Sequence, residues 1–498
     1  MYTPEGIGTC IPEECTPKTT PDECPENWTC QEPGICVPDQ CTPGKHDECP
    51  EDWVCVDMGH GIGMCEDRGI FEAELGEGTE MPLAWTNNYL VVGTVSGGDG
   101  HVHFVNARTG DISTSTTLAP LTGLATLGSS ERAVFTSRSR ISTLQLSNNQ
   151  LVNPAMDCLT AQAPFTGSES FEFGPTLIQT GNADGTGQWR FAVPANHNQH
   201  QNNHRLLAYS PNDNSATCSL TPTATSYTGR PAISPLAWLS SAELSFVQKT
   251  QNLPSWFTYA LGRQKWENSA WGAFTTSTIV AVNPPALDGV IGMAANQNNL
   301  WMSAAEGPGS RVRRHAWTGT DNGYPMLVDR ASSPVLDEGG NAYAAVRSLL
   351  PAGNTNYEVR LYASNITDRD AFIRTGPAII STEPVGSPLL GEPAVSGATP
   401  EVYVVTTKGQ VYAFRTDTLA SVWTTPVELG IEVAKTAQPV LKNNRLWVVG
   451  TRGEVRGVPV NSKGLSLSAQ WPKMHRDNCN SNSVLTSDAL LRPVLDCF

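Results

Sequence analysis

A proline followed by small or apolar residues recurs eight times along the chain: MPLA at Pro82, APLT at Pro120, GPTL at Pro175, SPLA at Pro235, PPAL at Pro285, SPVL at Pro334, SPLL at Pro388 and QPVL at Pro439. The intervals are 38, 55, 60, 50, 49, 54 and 51 residues. Self-similarity at such a period means one supersecondary unit repeated, each unit burying its apolar face against the next. Proline suits the first residue of a strand, where no ladder donor is lost.

Three segments downstream of such prolines align with one another. They are YLVVGTVSGGDGHVHFVNARTG (89–110), VYVVTTKGQVYAFRTDT (402–418) and LWVVGTRGEVRGVPVNSKG (446–464). Each has an apolar strand, a glycine turn and a second alternating strand, the pattern of a β-hairpin. Tyr403 and Trp447 each stand six residues before their turn glycines, Gly409 and Gly453, and Val411 and Val455 come after at equal offsets. About four short strands in a unit of roughly 50 residues predict an all-β fold, a β-propeller. Eight units predict eight blades, with seven as the alternative, because units two to four are degenerate. Composition agrees: only 16% of residues are charged, with 44 Gly and 36 Pro. Sandwich domains would need linkers between units of about 100 residues, and none is visible. A propeller must close its ring, which removes an exposed edge. FEAELGE (71–77) and AQWPKMHR (469–476) are the candidate closing strands.

The first 69 residues are of another kind. They hold nine of the 13 cysteines and 15 acidic side chains against Lys18, Lys45 and Arg68, a net charge of −12 out of −16. EECTPKTTPDECPENWTCQEPGICVP and DQCTPGKHDECPEDWVCVDMGHGIGMCED are two copies of one module. Their cysteines are Cys15, Cys24, Cys30 and Cys36, then Cys41, Cys49, Cys55 and Cys65. Modules this small cannot fold by burial alone and need cross-links. Structural zinc generally uses CxxC spacing, which is absent, so disulfides are expected. Four cysteines allow three pairings, and the spacing does not choose among them. Oxidised cysteine implies a periplasmic, extracellular or cell-surface location. Cys479 and Cys497 are a further candidate pair, as are Cys158 and Cys218.

Cys10 has no counterpart in either module. GIGT precedes Cys10 as GIGM precedes Cys65, and nine residues precede Cys10 just as nine lie between Cys55 and Cys65. Cys10 therefore reads as the last cysteine of an earlier, truncated module, unpaired in this chain, with a signal peptide further upstream; a free or intermolecular thiol is the alternative. The expected domains are 1–69, the disulfide-rich acidic repeats, and 70–498, the propeller with its C-terminal closing segment.

Two resemblances add to this reading. The modules resemble the short C…DxCPxxxxC…GxC repeats of secreted and surface proteins of environmental bacteria. That resemblance implies first-to-third and second-to-fourth pairing: Cys15–Cys30, Cys24–Cys36, Cys41–Cys55 and Cys49–Cys65. SPVLDEGGNAY, the VYVVTTKGQVYAF hairpin and WPKMHRDN (471–478) resemble the quinoprotein-like (PQQ-repeat type) propellers, over roughly residues 80–483. Some members of that family are dehydrogenases with a bound quinone, a calcium ion, a carboxylate base and often a disulfide between adjacent cysteines. This chain has no adjacent cysteine pair and no recognisable calcium-and-base constellation.

Candidate chemistry on the propeller is sparse. His197, His200 and His204 lie in ANHNQHQNNHR (195–205). On a helix they would share a face and suit zinc or copper, but the setting between two apolar runs reads as a solvated hairpin loop. They are weak metal candidates. His101 and His103 alternate along GHVHFV and would share one strand face, partly exposed. Asp337-Glu338 follows a strand-start motif, and Asp368 and Asp370 sit in a turn-like NITDRD; paired carboxylates in a central pocket would be needed to cleave sugars. The Asp-Gly turns of VSGGDGHV and GNADGTGQW carry one carboxylate each, whereas calcium loops use several. No cofactor is expected; calcium has no support in these turns, which read as hairpin tips.

The acidic balance argues against nucleic acid, and no apolar run is long and unbroken enough to span a membrane as a helix. The leading expectation is a non-enzymatic secreted or cell-surface platform that binds an extracellular or envelope protein, or a polysaccharide. The alternative is an extracellular enzyme, quinoprotein-like or carbohydrate-active, using the central pocket. An envelope-assembly scaffold is a lesser option, one that aromatic residues on an exposed face would favour.

Overall fold

The computed structural model describes residues 69–117, 330–349, 383–394 and 397–474 without a break, and elsewhere the strands and short adjoining segments. All regular elements among the described residues are β-strands. From residue 84 onward they group into antiparallel meanders in which most strands pair with the next in sequence; the short strands Glu169–Ser170, Arg330–Ala331 and Ile379–Ile380 add to the meanders out of that order. The meanders begin with the strands Ala84–Thr86, Leu121–Thr126, Thr176–Thr180, Ala237–Leu239, Val290–Ala295, Val335–Leu336, Leu389–Pro393 and Val440–Lys442. They are called units one to eight in that order. Seven of these first strands start within two residues of the recurring proline, and Val290 starts five after Pro285. The proline marks the entry to the first strand, as its missing N–H permits.

The three hairpins read from sequence are second and third strands. In unit one Tyr89–Ser96 pairs with Asp99–Asn106, in unit seven Glu401–Val405 with Gln410–Arg415, and in unit eight Arg445–Val449 with Glu454–Pro459. Gly97 and Gly98 form the two-residue tip of the first, with φ of 61° and 97°, the left-handed backbone that such a turn requires.

Packing takes place between units rather than within one sheet. Leu83, Trp85, Leu90, Val92 and Val105 of unit one pack on Val440, Trp447, Val449 and Val455 of unit eight. Units one and two share a second cluster that includes Phe104, Leu124 and Phe135. Units three and four meet through Leu206 and Phe246, units six and seven through Tyr343 and Val402, and units seven and eight through Tyr403 and Leu446. Antiparallel meanders packed on their neighbours, the last against the first, make a β-propeller.

The closing strand comes from the N-terminal side. Phe71–Glu74 pairs antiparallel with Glu454–Pro459, from Glu74 opposite Glu454 to Phe71 opposite Gly457, and so supplies the fourth strand of unit eight. The Phe71 ring meets Trp447 edge-on at 4.9 Å. Of the two candidate segments, FEAELGE closes the ring and AQWPKMHR does not. The latter comes after Ser462–Leu465, which lies between the first strands of units seven and eight, Leu465 opposite Gly391 and Gly464 opposite Lys442.

Upstream of residue 69 the described elements are two hairpins, one in each cysteine module. Trp28–Gln31 pairs with Ile35–Pro38, and Trp53–Asp57 pairs with Gly63–Asp67. Their registers set Cys30 opposite Cys36 and Cys55 opposite Cys65, so the sequence repeat is also a backbone repeat. Cys10, Cys15, Cys24, Cys41, Cys49, Cys158, Cys218, Cys479 and Cys497 lie outside the described residues.

Candidate binding face and axial segment

After Leu465 the chain turns inward. The Leu336 N–H donates to the Trp471 carbonyl at 2.8 Å, and the Trp471 N–H donates back to the Leu336 carbonyl at 3.0 Å. The Leu390 N–H donates to the Pro472 carbonyl at 2.8 Å, and the Met474 N–H to Ser387 Oγ at 2.7 Å. Asn480 Nδ2 donates to the Leu124 carbonyl at 3.1 Å. Leu124, Leu336 and Leu390 belong to the first strands of units two, six and seven. One short segment can bond to first strands of units so far apart in the ring only if those strands face a common axis. The first strands therefore line the channel, and residues 469–474, with Asp477 and Asn480, lie in it.

The inner side chains of this segment are buried. Trp471, Lys473 and Asp477 have no exposed surface. Lys473 Nζ donates to Asn480 Oδ1 at 3.1 Å, so Asn480 joins the ammonium to the wall of unit two. Burial pushes the Lys473 pKa down from 10.5 to about 7, opposed by the Asp477 carboxylate. A buried ammonium is tolerated only with such partners, because desolvation otherwise outweighs the attraction.

The meander gives the ring two ends. Turns between second and third strands, and connections from one unit to the next, lie at one end; turns between first and second strands lie at the other. At the first end each connection between neighbouring units from six onward to one carries a glutamate: Glu383, Glu432 and Glu77. Backbone bonds knit these connections to the adjoining turns. The Thr407 N–H donates to the Glu383 carbonyl at 2.9 Å, and the Thr451 N–H to the Glu432 carbonyl at 2.7 Å. Two of the three carboxylates are matched to cationic or titratable partners. Glu383 takes Arg347 at 2.5 Å together with Lys435. Glu77 lies 2.7 Å from His101 Nδ1.

At the third connection the charges stand apart around a cleft of about 330 Å³ lined by Lys408, Gly430, Ile431, Glu432, Arg452 and Glu454. Lys408 and Arg452 each precede a left-handed turn glycine, Gly409 with φ of 70° and Gly453 with φ of 97°. They occupy the same repeat position in units seven and eight, T-K-G and T-R-G. A side chain on Gly409 would meet the Ile431 carbonyl at 2.2 Å, so the backbone approach that shapes the cleft depends on glycine.

His101 and His103 share a strand face, their rings 6.2 Å apart, as the alternation predicts. The expectation of partial exposure holds for His101 and fails for His103, which is 2% exposed. Its Nε2 lies 2.9 Å from Thr94 Oγ1 and its Nδ1 2.9 Å from Thr114 Oγ1. The neighbouring strands, Tyr89–Ser96 and Ile112–Thr117, cover it from both sides. Desolvation lowers its pKa from 6.5 to about 4, against the Glu77 carboxylate and with the help of His101, so it is a neutral bridge between two hydroxyls.

Asp337 is a turn residue. Its carboxylate accepts the Asn341 N–H at 2.8 Å, Asn341 Nδ2 at 2.8 Å and the Tyr343 hydroxyl at 2.9 Å, at the end of the ring opposite the cleft. Asp368, Asp370 and His200 lie outside the described residues. His197 ends the strand Gln188–His197 and His204 directly precedes Arg205–Tyr209, so neither of these two histidines lies on a helix. His204 is buried and its carbonyl accepts the Thr228 N–H at 2.8 Å. Among the described residues no group of three His, Cys, Asp or Glu side chains is arranged to hold a metal. No helix among them is long and apolar enough to cross a membrane. The cleft cations went unnoticed in the sequence, although their shared repeat position was a readable signal.

The sequence matches no protein-family model and no curated protein. Among solved structures the chain is similar to the WD40 domain of Toxoplasma gondii coronin, at 10% identity and a TM-score of 0.38, covering 86% of this chain and 95% of that one. It is similar to a chain of the mitotic checkpoint complex at 10% identity and a TM-score of 0.38, covering 80% and 96%. It is also similar to the β-propeller domain of Myceliophteria thermophila Cps50 (Swd1), at 9% identity and a TM-score of 0.37, covering 78% and 98%.

Proposed function

We propose that the chain is a secreted or cell-surface, non-enzymatic scaffold that binds a protein partner through the end of the propeller carrying the cleft. In this reading each meander is one blade, eight in all, of the quinoprotein-like repeat type. Residues 1–69 form a separate acidic, disulfide-rich arm that serves as a spacer or second contact.

The observation that carries the reading is the filled axis. Propeller enzymes of the resembling type act from the central pocket, and here Trp471, Pro472, Met474 and Asn480 bond to the walls of that pocket with Lys473 and Asp477 wholly buried. The surface left for recognition is the loop end. The chain enters the propeller at the opposite end, where the Gly69 carbonyl accepts Arg445 Nη1 at 2.9 Å beside a turn between first and second strands. The exposed large hydrophobics among the described residues are Val95, Ile112 and Leu467. None is aromatic, so the criterion for an assembly scaffold is not met there.

The test is capture of a partner from envelope and secreted fractions on the immobilised 498-residue chain, followed by hydrogen-exchange footprinting of the complex. The expected outcome is a protein whose binding protects the turns at Gly97–Gly98, Lys408–Gly409 and Arg452–Gly453. Capture of a polysaccharide in its place, or protection confined to the opposite end, would contradict the reading.

A further inference from the structure

We infer that the cleft between units seven and eight is a binding site for a peptide segment carrying an acidic and a basic side chain close together; the inference rests on the protein-binding reading and names the partner chemistry of that same face. The repeat itself supplies the comparison. At the connections flanking the cleft the glutamate already has its partner, Glu383 with Arg347 and Lys435, and Glu77 with His101. At the cleft, Lys408, Arg452 and Glu432 are all exposed, and none of their side chains forms an ion pair among the described residues. The equivalent charges are present but do not close on one another.

The open charges define what fits. Lys408 and Arg452 come from equivalent turns of neighbouring units and present two cations to one space. Arg offers a planar pair of donors suited to a carboxylate, and Lys a point charge beside it. Glu454 is partly committed, since its Oε2 accepts the Arg452 backbone N–H at 3.1 Å. Glu432 remains as the acceptor for a cation. The lining carries two positive and two negative groups, so its net charge is near zero and long-range attraction of a simple anion is weak. A ligand that presents a carboxylate to Lys408 and Arg452 and an ammonium or guanidinium to Glu432 completes both halves of the pattern. Buried Ile431 forms an apolar floor for the aliphatic stems of such side chains.

The experiment titrates the 498-residue chain with three synthetic peptides of equal length, one alternating Glu and Lys, one all Glu and one all Lys, read by calorimetry or fluorescence anisotropy. The mixed peptide is expected to bind most tightly. The double variant Lys408→Gln/Arg452→Gln and the single variant Glu432→Gln are each expected to weaken it about tenfold, with thermal unfolding unchanged because all three side chains are exposed. Equal or tighter binding of the all-Glu peptide overturns the inference, as does unchanged affinity in both variants. Preference for an oligouronate over the mixed peptide overturns the protein partner in favour of a polysaccharide. The two readings fail separately. A captured partner that ignores all three substitutions leaves the scaffold standing and removes the cleft; a mixed peptide bound through the cleft with no captured partner does the reverse.

Discussion

Burying an ammonium group at the axis of the ring ties the stability of the propeller to pH. Lys473 has a folded pKa of about 7 against 10.5 when free. Between those values the unfolded chain holds a proton that the folded chain has lost, so stability rises with pH through that window. The contribution is complete above the free value and is lost as pH falls toward 7. One proton corresponds to a slope of at most about 1.4 kcal/mol per pH unit. Lys473→Met removes that slope, which denaturant titrations of both proteins at pH 7.5, 8.5 and 9.5 would show as a difference in slope. Parallel slopes would place the ammonium in water. None of this was legible at residue 473 itself. The segment WPKMHRDN is conspicuous in sequence, but burial of its lysine is set by first strands more than 80 residues away. His103 shows the same limit: alternation places it on the right face, and only the covering strands decide that it is dry.

At the scale of single elements, local pattern carried most of the information. Period-2 alternation and turn glycines located the hairpins, and the proline located the first strand of seven of the eight units to within two residues, because both signals depend on neighbours in sequence. Closure of the ring depends on an edge that has no sequence signature of its own. Phe71–Glu74 and residues 469–476 both looked able to supply it, and packing decided. At Gly457 an added Cβ would stand 2.9 Å from the Trp447 ring and 3.0 Å from Phe71 Cβ, so the closing strand approaches this closely only over glycine. Gly457→Val forces Phe71 and the closing strand outward. It is expected to cost about 1–3 kcal/mol and to expose residues 69–77 to proteolysis ahead of the rest of the propeller. Simultaneous cleavage throughout, with unchanged stability, would mean that this strand is not the clasp. The cleft cations were an element-scale signal missed, since T-K-G and T-R-G align once the hairpins are superposed.

For the whole molecule, the repeat led directly to the fold, while the axis of the ring was invisible. A periodic sequence says that units stack, but not what lies between their first strands. Residues 469–474, Asp477 and Asn480 belong to an aperiodic stretch and occupy that space, which is why the proposed recognition surface is the rim and not a central pocket. The charge distribution fits that division, with −12 of the −16 net charge in the first 69 residues and the cleft at the end of the ring away from where they join. The filled axis is tested most directly by amide hydrogen exchange at Leu336, Leu390 and Trp471 in the 498-residue chain and in a chain ending at Ser468. The filled axis predicts strong protection of all three in the longer chain. In the shorter one, Leu336 and Leu390 should exchange rapidly while the hairpin amides of Val404 and Val448 stay protected. Equal exchange at Leu336 and Leu390 in both chains would mean that the channel is open and that its pocket is available for chemistry.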